Sequence, residues 1–362
     1  MTPTATPHRP GYLTRLRPAA RIASIEHDTT LPARYYTDPA VFEAERQRVF
    51  APAWNLVAYE HQLRKTGDYV TENLAGWPLF VQRAPDGALR AFHNVCPHRA
   101  GPIVWDGEGC QNSLVCRYHG WVFNADGSLR HARDFGGDPQ GEPALTPVRV
   151  ESWRGMVFVT LRPDAGCLHE WMAGFDVECM RYPIETYHFH SRSRRLMACN
   201  WKTYADNFNE GYHLPTVHPF TLARAVNARA YTVRLGRDPH WNLHDAPPRT
   251  HTEWTGVWGY LWPSFSFNVF EGGMAVERWL PRGHDRSELI FEYFFADDAH
   301  DIDELVKESE EVADEDVRVC EHVQRNLGSG MYERGSLSPR HEHALSAFQV
   351  LLREAVDPLL DR

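Results

Sequence analysis

Two short strings of cysteine and histidine carry the clearest potential for metal chemistry in this sequence. Cys96 and His98 form the first string, and Cys116 and His119 form the second. Two thiolates and two imidazoles make one four-ligand site, which suits either zinc or a two-iron, two-sulfur cluster whose outer iron is held by two histidines. A zinc site would indicate a structural scaffold, whereas an iron-sulfur cluster would indicate an electron carrier.

The distribution of the ligands favours the iron-sulfur cluster. Structural zinc sites usually place two ligands of one kind on each hairpin, whereas each string here brings one cysteine and one histidine. A Rieske cluster needs this mixture because both cysteines bind one iron and both histidines bind the other. We expect Pro97 and Gly101-Pro102 to stiffen the first loop, and Gly120 to let the second backbone approach the cluster closely.

A second candidate site lies downstream, where two histidines are five positions apart. On a regular helix His213 and His218 would point about 140° apart, so they can share a metal only if the helix is interrupted, and Pro215 is a local cause for an interruption. Two histidines and one carboxylate on one face of ferrous iron leave positions for dioxygen and substrate. We therefore predict that His213 and His218 are iron ligands.

The runs 92–100 and 116–121 resemble the Rieske domain of the aromatic ring-hydroxylating oxygenase superfamily, in its large catalytic subunit. The similarity extends from about residue 31 to the final helix. The run 324–342 resembles the branch that contains the choline, glycine-betaine and carnitine monooxygenases. The resemblance implies a [2Fe-2S] cluster, a mononuclear Fe(II) and dioxygen as co-substrate.

The superfamily signature Asp/Glu-x-x-His-x4-His matches Glu210, His213 and His218. The resemblance implies a third iron ligand on a long downstream helix, and its pattern selects Asp316 from a crowd of acids. It also implies that Glu210 bridges His119 of one subunit to His213 of the next, in a homotrimer or a multiple of it. Many members have Asp at this position, and the Glu here is shared with part of the family. With Glu210 we group Asn207 as a candidate catalytic residue.

The implied activity is hydroxylation or N-demethylation of a small organic substrate. The chain has neither a Gly-rich nucleotide fingerprint nor a second ferredoxin-type cysteine set, so NAD(P)H is expected to act only through a partner flavin and iron-sulfur reductase, with or without a ferredoxin. An aromatic ring hydroxylase or dioxygenase and an aryl O-demethylase stay open, as does a companion small subunit. The alternative outside enzymes is an electron-transfer or zinc-scaffold protein, but about 200 residues follow the cluster domain.

The segment 254–268 is dense in aromatic residues and is the candidate substrate pocket. Indole and phenol faces attract quaternary ammonium groups, they also stack on aromatic rings, and an aromatic strand often only fills a core. The substrate preference leans slightly toward a quaternary amine or betaine. The pocket candidates are Trp258, Tyr260, Trp262, Phe265 and Phe267.

Composition predicts an ordinary cytoplasmic enzyme. The 362 residues are 43% hydrophobic and carry a net charge of -10, which disfavours nucleic acid and anionic membranes as partners, and no apolar run is long enough to cross a bilayer. Seven cysteines without a dense regular spacing do not form a secreted disulfide framework. The basic, acid-free start is expected to be a flexible tail, with a transit peptide as the alternative.

Turn signals and periodicity predict an α+β protein. Short strands broken by Gly and Pro turns indicate an all-β Rieske domain at 46–165, after a tail and helix at 1–45. An antiparallel-sheet α+β catalytic domain is expected at 166–362. Helical spacing is expected at 39–54, 200–210 and 301–327, and strands at 155–160, 258–270 and 289–295.

Overall fold

The protein, described by a computed structural model over residues 29–238, 240–248 and 256–360, is built on two seven-stranded antiparallel sheets. The first sheet and a three-stranded companion form the N-terminal part, and the second sheet carries the helices of the C-terminal part. This is the predicted fold class, an all-β domain followed by an antiparallel α+β domain. The tail at 1–28 lies outside the described residues.

The first sheet has the order β1-β10-β9-β4-β3-β2-β5. Its strands are short because Gly and Pro turns interrupt the chain, as the sequence predicted. The predicted strand at 155–160 begins one residue later. The strands are β1 Asn55–Tyr59, β2 Asp68–Leu74, β3 Trp77–Arg83, β4 Leu89–His93, β5 Glu108–Cys110, β9 Pro147–Trp153 and β10 Met156–Thr160.

A small sheet in the order β6-β7-β8 lies between β5 and β9 in the chain. Its strands are β6 Leu114–Val115, β7 Val122–Phe123 and β8 Leu129–His131. The second Cys/His string is the turn between β6 and β7, and the first string follows β4. Both candidate cluster loops therefore project from paired strands, which fix where each loop begins and ends.

The second sheet has the order β11-β17-β16-β15-β14-β13-β12. Successive strands from β12 to β17 are neighbours, and β11 pairs with β17 at the far edge. The aromatic and β-branched segments at 258–270 and 289–295 form strands here, as predicted. The strands are β11 His188–Met197, β12 Thr232–Leu235, β13 Trp241–Asp245, β14 Gly256–Leu261, β15 Phe265–Phe270, β16 Gly273–Pro281 and β17 Ser287–Phe295.

The helices Trp201–Phe208 and Ile302–Leu327 lie within two residues of their predicted bounds. The expected helix at 39–54 is shorter, because the helix Pro39–Glu45 continues as a π-helical turn at Arg46–Phe50 and β1 follows. The α-helices are α1 Arg34–Thr37, α2 Pro39–Glu45, α3 Leu168–Cys179, α4 Trp201–Phe208, α5 Leu214–Val217, α6 Leu222–Ala225, α7 Ile302–Leu327 and α8 His343–Leu360, and Glu60–Gln62 and Ile184–Thr186 are 3-10 turns. No helix among the described residues is long and apolar enough to span a membrane.

A buried ionic network joins the two large sheets. Arg278 on β16 contacts Glu72 on β2 at 3.0 Å and Glu292 on β17 at 3.3 Å. Tyr59 on β1 donates a hydrogen bond of 2.6 Å to Glu292. Buried charges need several partners to offset their desolvation, so these contacts hold the cluster-bearing sheet in a defined position on the second sheet. The predicted boundaries at 45/46 and 165/166 stay predictions.

A second buried pair fixes the start of α4. Lys202 and Glu45 are fully buried, and Nζ of Lys202 lies 2.6 Å from Oε1 of Glu45. Nζ also donates to Oδ1 of Asn200, and Trp201 Nε1 donates to Glu45 at 2.8 Å. The pair ties α2 to the helix that leads into the histidine segment.

Replacing Lys202 by Met should destabilise the protein by about 3–5 kcal/mol, because the Glu45 carboxylate is left buried without its cation. Urea unfolding followed by circular dichroism measures the effect. The matched control is Lys307→Met, which removes an exposed pair with Glu311 and should barely change the unfolding midpoint. Equal midpoints for the two variants would contradict a structural role for the buried pair.

Candidate functional site

The two Cys/His loops are tied to each other by backbone hydrogen bonds. Within the first loop, Cys96 N–H donates to Gly101 and Ala100 N–H donates to Cys96. Across the loops, Arg117 N–H donates to the carbonyl of Pro102 at 2.8 Å. The four predicted cluster residues are therefore brought together, on two loops held in one register.

The donor atoms in these loops fit a cluster with two thiolate and two imidazole ligands. Both thiols are buried, and the rings of His98 and His119 lie 4.6 Å apart between centroids. Nδ1 of each ring is buried and has no hydrogen-bond partner. Buried polar atoms are normally paired, so the two unpaired Nδ1 atoms on neighbouring rings fit a metal that accepts imidazole lone pairs.

Two glycines allow this arrangement, for different reasons. A Cβ on Gly101 would lie 2.6 Å from Cβ of Tyr118 and 3.0 Å from Sγ of Cys116, so only glycine lets the loops approach. Gly120 has a φ of +73°, and a Cβ there would meet Cδ of Arg133 at 3.6 Å, an ordinary contact. This positive φ favours glycine, and the close approach of this backbone to the cluster stays a prediction.

The downstream histidines flank a single helical turn. His213 is the residue before α5 and His218 the residue after it, and their ring centroids are 5.2 Å apart. The interpretation of Pro215 as a helix breaker is wrong in detail, because Pro215 lies in the first turn of α5. A backbone N–H in the first turn has no acceptor within the helix, so a proline fits there. The regular helix α4 has already ended at Phe208, and the bend precedes His213.

Asp316 on α7 completes a three-donor group with these histidines. Its Oδ1 lies 3.0 Å from Nε2 of His218 and 3.7 Å from Nε2 of His213. One ligand atom from each of the three residues lies within 4.8 Å of the others. Two imidazoles and a carboxylate are the donor set of non-heme iron sites, so the residues present fit such a metal.

Carboxylates hold the opposite nitrogen of each imidazole. Nδ1 of His213 lies 2.6 Å from Glu210, and Nδ1 of His218 lies 2.7 Å from Glu315. Ionised carboxylates only accept hydrogen bonds, so each Nδ1 donates its proton and each Nε2 keeps a lone pair for a metal. This pattern is common around metal-binding histidines.

Two contacts of this group were not predicted from the sequence. Thr221 Oγ1 donates to Glu315 at 2.5 Å, and Asn207 Nδ2 donates to Oδ1 of Asp316 at 2.7 Å. Asn207 was a candidate residue without an assigned partner, and Glu315 was one acid among several. The signal that could have found Glu315 is its position directly before Asp316 on the same helix.

The protonation of the neighbouring imidazoles differs with their surroundings. Burial lowers the pKa of His218, but the adjacent carboxylates of Asp316 and Glu315 outweigh it and the net shift is upward. Burial, with a smaller contribution from the charge of His213, lowers the pKa of His244 to about 3. His244 is therefore a neutral ring beside the site at physiological pH.

A cavity of about 890 Å³ lies next to the three donors. The described residues of the second sheet that line it are mostly aromatic, and they include the buried carboxylate of Glu277. Burial, reinforced by the charge of Asp316, raises the pKa of Glu277 to about 8. The aromatic residues of the lining in the described part of the chain are Tyr204, Phe208, Phe220, Tyr231, Trp258, Phe270, Phe291, Tyr293 and Phe295.

Of the five predicted pocket aromatics, only Trp258 lines this cavity. Phe265 and Phe267 point to the opposite face of the sheet, where Phe267 packs 6.0 Å from Phe175 of α3. Side chains alternate along a strand. Asn268 and Phe270 of β15 line the cavity, so Phe267 and Phe265 on the same strand face away from it. Tyr260 and Trp262 are buried against Phe348 of α8. Trp254, in the same aromatic segment, lies outside the described residues.

Two family models match the chain. The model described as "Rieske [2Fe-2S] domain" covers residues 53–146, and "Ring hydroxylating alpha subunit (catalytic domain)" covers residues 184–357. These matches confirm the choice of a [2Fe-2S] cluster over zinc and assign the second part to a catalytic domain. The electron-carrier and scaffold alternatives, which lack such a domain, are not supported.

Full-length relatives agree with these matches. The carnitine monooxygenase oxygenase subunit of Escherichia coli (strain K12) is 32% identical over 90% of this chain and 93% of its own length. The chloroplastic choline monooxygenase of Beta vulgaris is 29% identical over 91% of this chain and 78% of its length.

Solved structures show the same architecture. A quaternary ammonium Rieske monooxygenase in complex with L-carnitine superposes with a TM-score of 0.82 at 28% identity, over 94% of this chain and 99% of that one. The naphthalene 1,2-dioxygenase of a Rhodococcus species, at 20% identity and a TM-score of 0.73 over 93% of this chain and 98% of that one, shares the fold. This protein belongs to the Rieske non-heme iron oxygenases, as a ring-hydroxylating alpha-type subunit.

Proposed function

We propose that this protein is the oxygenase subunit of a monooxygenase that oxidises a small quaternary amine, with electrons from a separate reductase. The observation that carries the proposal is the convergence of Nε2 of His213, Nε2 of His218 and Oδ1 of Asp316 beside an aromatic cavity. A substrate in that cavity would lie next to the site where dioxygen is used.

We assign two metal-binding groups. The cluster ligands are Cys96, His98, Cys116 and His119, and the iron ligands are His213, His218 and Asp316. When bound, the cluster supplies single electrons and ferrous iron supplies oxygen-activating chemistry. Asn207 and Glu315 keep the donor atoms in position by hydrogen bonding to Asp316 and His218.

Glu210 is proposed to connect the two metal sites of neighbouring subunits. Its Oε1 holds His213, while Oε2 accepts the backbone N–H groups of Tyr212 and His213. Tyr118 in the second cluster loop and Tyr212 near Glu210 are 55% and 60% exposed, so both places are accessible to a neighbouring subunit. Inter-subunit electron transfer is described for a quaternary ammonium Rieske monooxygenase that is 28% identical.

The substrate class rests on the cavity and on the relatives. Aromatic faces around a buried acid suit an organic cation, and the relatives are named for carnitine and choline. A ring hydroxylase is the second candidate class from the sequence, but the naphthalene dioxygenase shares only the fold at 20% identity. An aryl O-demethylase has no observation in its favour here.

The sequence has no Gly-rich nucleotide-binding motif, so electrons from NAD(P)H must reach this protein through another protein. We propose a flavin and iron-sulfur reductase that carries electrons from NAD(P)H, with or without a ferredoxin. The proposed assembly is a homotrimer in the cytoplasm, with domains divided near residues 165/166. The net charge of -10 gives no support to nucleic-acid binding.

Substrate-dependent oxygen consumption, coupled to a reductase, tests the proposed function. Choline, carnitine and betaines should stimulate consumption by at least about tenfold over buffer, because cation-binding surfaces discriminate against rings that carry no positive charge. Benzoate-like aromatics should stimulate little. A response to aromatics alone would overturn the substrate class while leaving the family unchanged.

Two histidine variants control this measurement. His213→Ala should abolish stimulated consumption and keep the cluster spectrum, because it removes one iron donor only. His322→Ala changes an exposed histidine on α7 whose Nδ1 contacts the Arg318 carbonyl, and it should behave as wild type. Turnover that survives His213→Ala would contradict the ligand assignment.

Mixing two inactive variants tests electron transfer between subunits. Cys116→Ser should lack the cluster and His213→Ala should lack the mononuclear iron, so neither is active alone. Refolded or co-expressed mixtures should regain up to about a quarter of wild-type activity, because a mixed trimer can place an intact cluster beside an intact iron site. Mixed trimers that stay inactive would indicate transfer within one chain.

A further inference from the structure

One buried carboxylate in the cavity has no role in the metal sites described above. Glu277 on β16 is 6% exposed and faces the cavity. It is not among the donors whose ligand atoms lie within 4.8 Å of one another. Burying an acid at this depth is unfavourable unless a partner offsets the cost, so its position calls for an explanation.

The protein offers Glu277 only neutral partners. Tyr204 donates a hydrogen bond of 3.2 Å to Oε2, and Asn268 Nδ2 donates one of 3.1 Å to Oε1. Within the described part of the chain, no Lys, Arg or His forms an ion pair with it. The neighbouring Arg278 points to the other face of the sheet, where it pairs with Glu72 and Glu292.

Aromatic residues surround this carboxylate on the cavity face. Phe291 pairs with Glu277 across β16 and β17, and Tyr293 pairs with Ala275 in the next row of the same face. Trp258 pairs with Asn268, one of the hydrogen-bond donors to Glu277. Aromatic faces stabilise ammonium groups, so the wall combines a negative charge with surfaces that favour a cation.

The ionisable side chains that line the cavity also favour a cationic ligand. Among the residues that the structure describes, the lining includes four further carboxylates and one arginine, Arg224. Two of the carboxylates, Glu308 and Glu311, are exposed at the mouth on α7, where solvent screens them. Glu277 differs because it lies in a low-dielectric wall, where a charge acts more strongly.

We propose that Glu277 is the counter-ion of the substrate and the residue that selects an ammonium cation over a neutral molecule of the same shape. This inference rests on the proposed function and deepens it, since it assigns the cation specificity to one side chain. Without a cation, the upward shifted pKa, about 8, leaves much of the Glu277 carboxyl neutral at pH 7. A bound ammonium group favours its charged form.

Binding of two probes to the iron-loaded holoenzyme under anaerobic conditions tests the proposal. Choline and 3,3-dimethylbutan-1-ol have the same shape, but carbon replaces the charged nitrogen in the second. Calorimetry should show that the wild-type protein binds choline at least about tenfold more tightly, as expected for a cation held by a buried carboxylate and aromatic faces. Equal affinities, or no detectable choline binding, would overturn the proposal without any variant.

Two variants locate the preference. Glu277→Gln keeps the shape and one acceptor oxygen, and it should reduce the preference to about threefold or less while binding the neutral alcohol as before, which also shows that the cavity is intact. Glu304→Gln makes the same change at an exposed position of α7 that does not line the cavity, and it should keep the wild-type preference. A Glu277→Gln protein that still prefers choline tenfold rules out Glu277 as the selector.

The result separates this inference from the proposed function. Oxygen consumption driven by quaternary amines, together with an unchanged preference in Glu277→Gln, would reject only the role of Glu277. Oxygen consumption driven by aromatics alone would reject the substrate class, whatever the probes show. The binding readout does not depend on reductase or turnover.

Discussion

The packing of α7 against α4 is the contact on which the iron site depends. Gln324 accepts hydrogen bonds from Asn200 N–H and Thr203 Oγ1, Cys320 Sγ donates to the Thr203 carbonyl, and Glu321 accepts from Ala198 N–H. These contacts fix the rotation of α7. A shift of one residue would turn its face by about 100° and carry Asp316 away from both histidines.

Two buried ion pairs connect the elements around the iron site to the N-terminal part of the protein. The chain enters α4 through Asn200 and Lys202, and Lys202 is paired with Glu45 of α2. The second sheet is tied to the cluster-bearing sheet by Arg278. Buried charge pairs of this kind specify one arrangement more than they add stability. The helix α4, which leads into the iron-ligand histidines, is therefore held by α2, and the second sheet is held by the cluster-bearing sheet.

Much of the site could be predicted because its signals are local. The Cys/His strings and the spacing of His213 and His218 are visible in the sequence, while Asp316 could be chosen only through resemblance to a family. Glu315 and Asn207 could not be matched to His218 and Asp316 from the sequence, since these partners lie far away in the chain. The aromatic segment failed for a similar reason: alternation shows that a strand has two faces but not which face meets a cavity.

The iron content of each chain tests most directly whether three residues form one iron site. Wild-type protein should hold about three iron atoms per chain, two in the cluster and one outside it. Asp316→Ala should hold about two, with the cluster absorbance unchanged. An Asp316→Ala protein that keeps the third iron, or a wild-type protein with only the two cluster irons after loading with ferrous iron, would contradict the account.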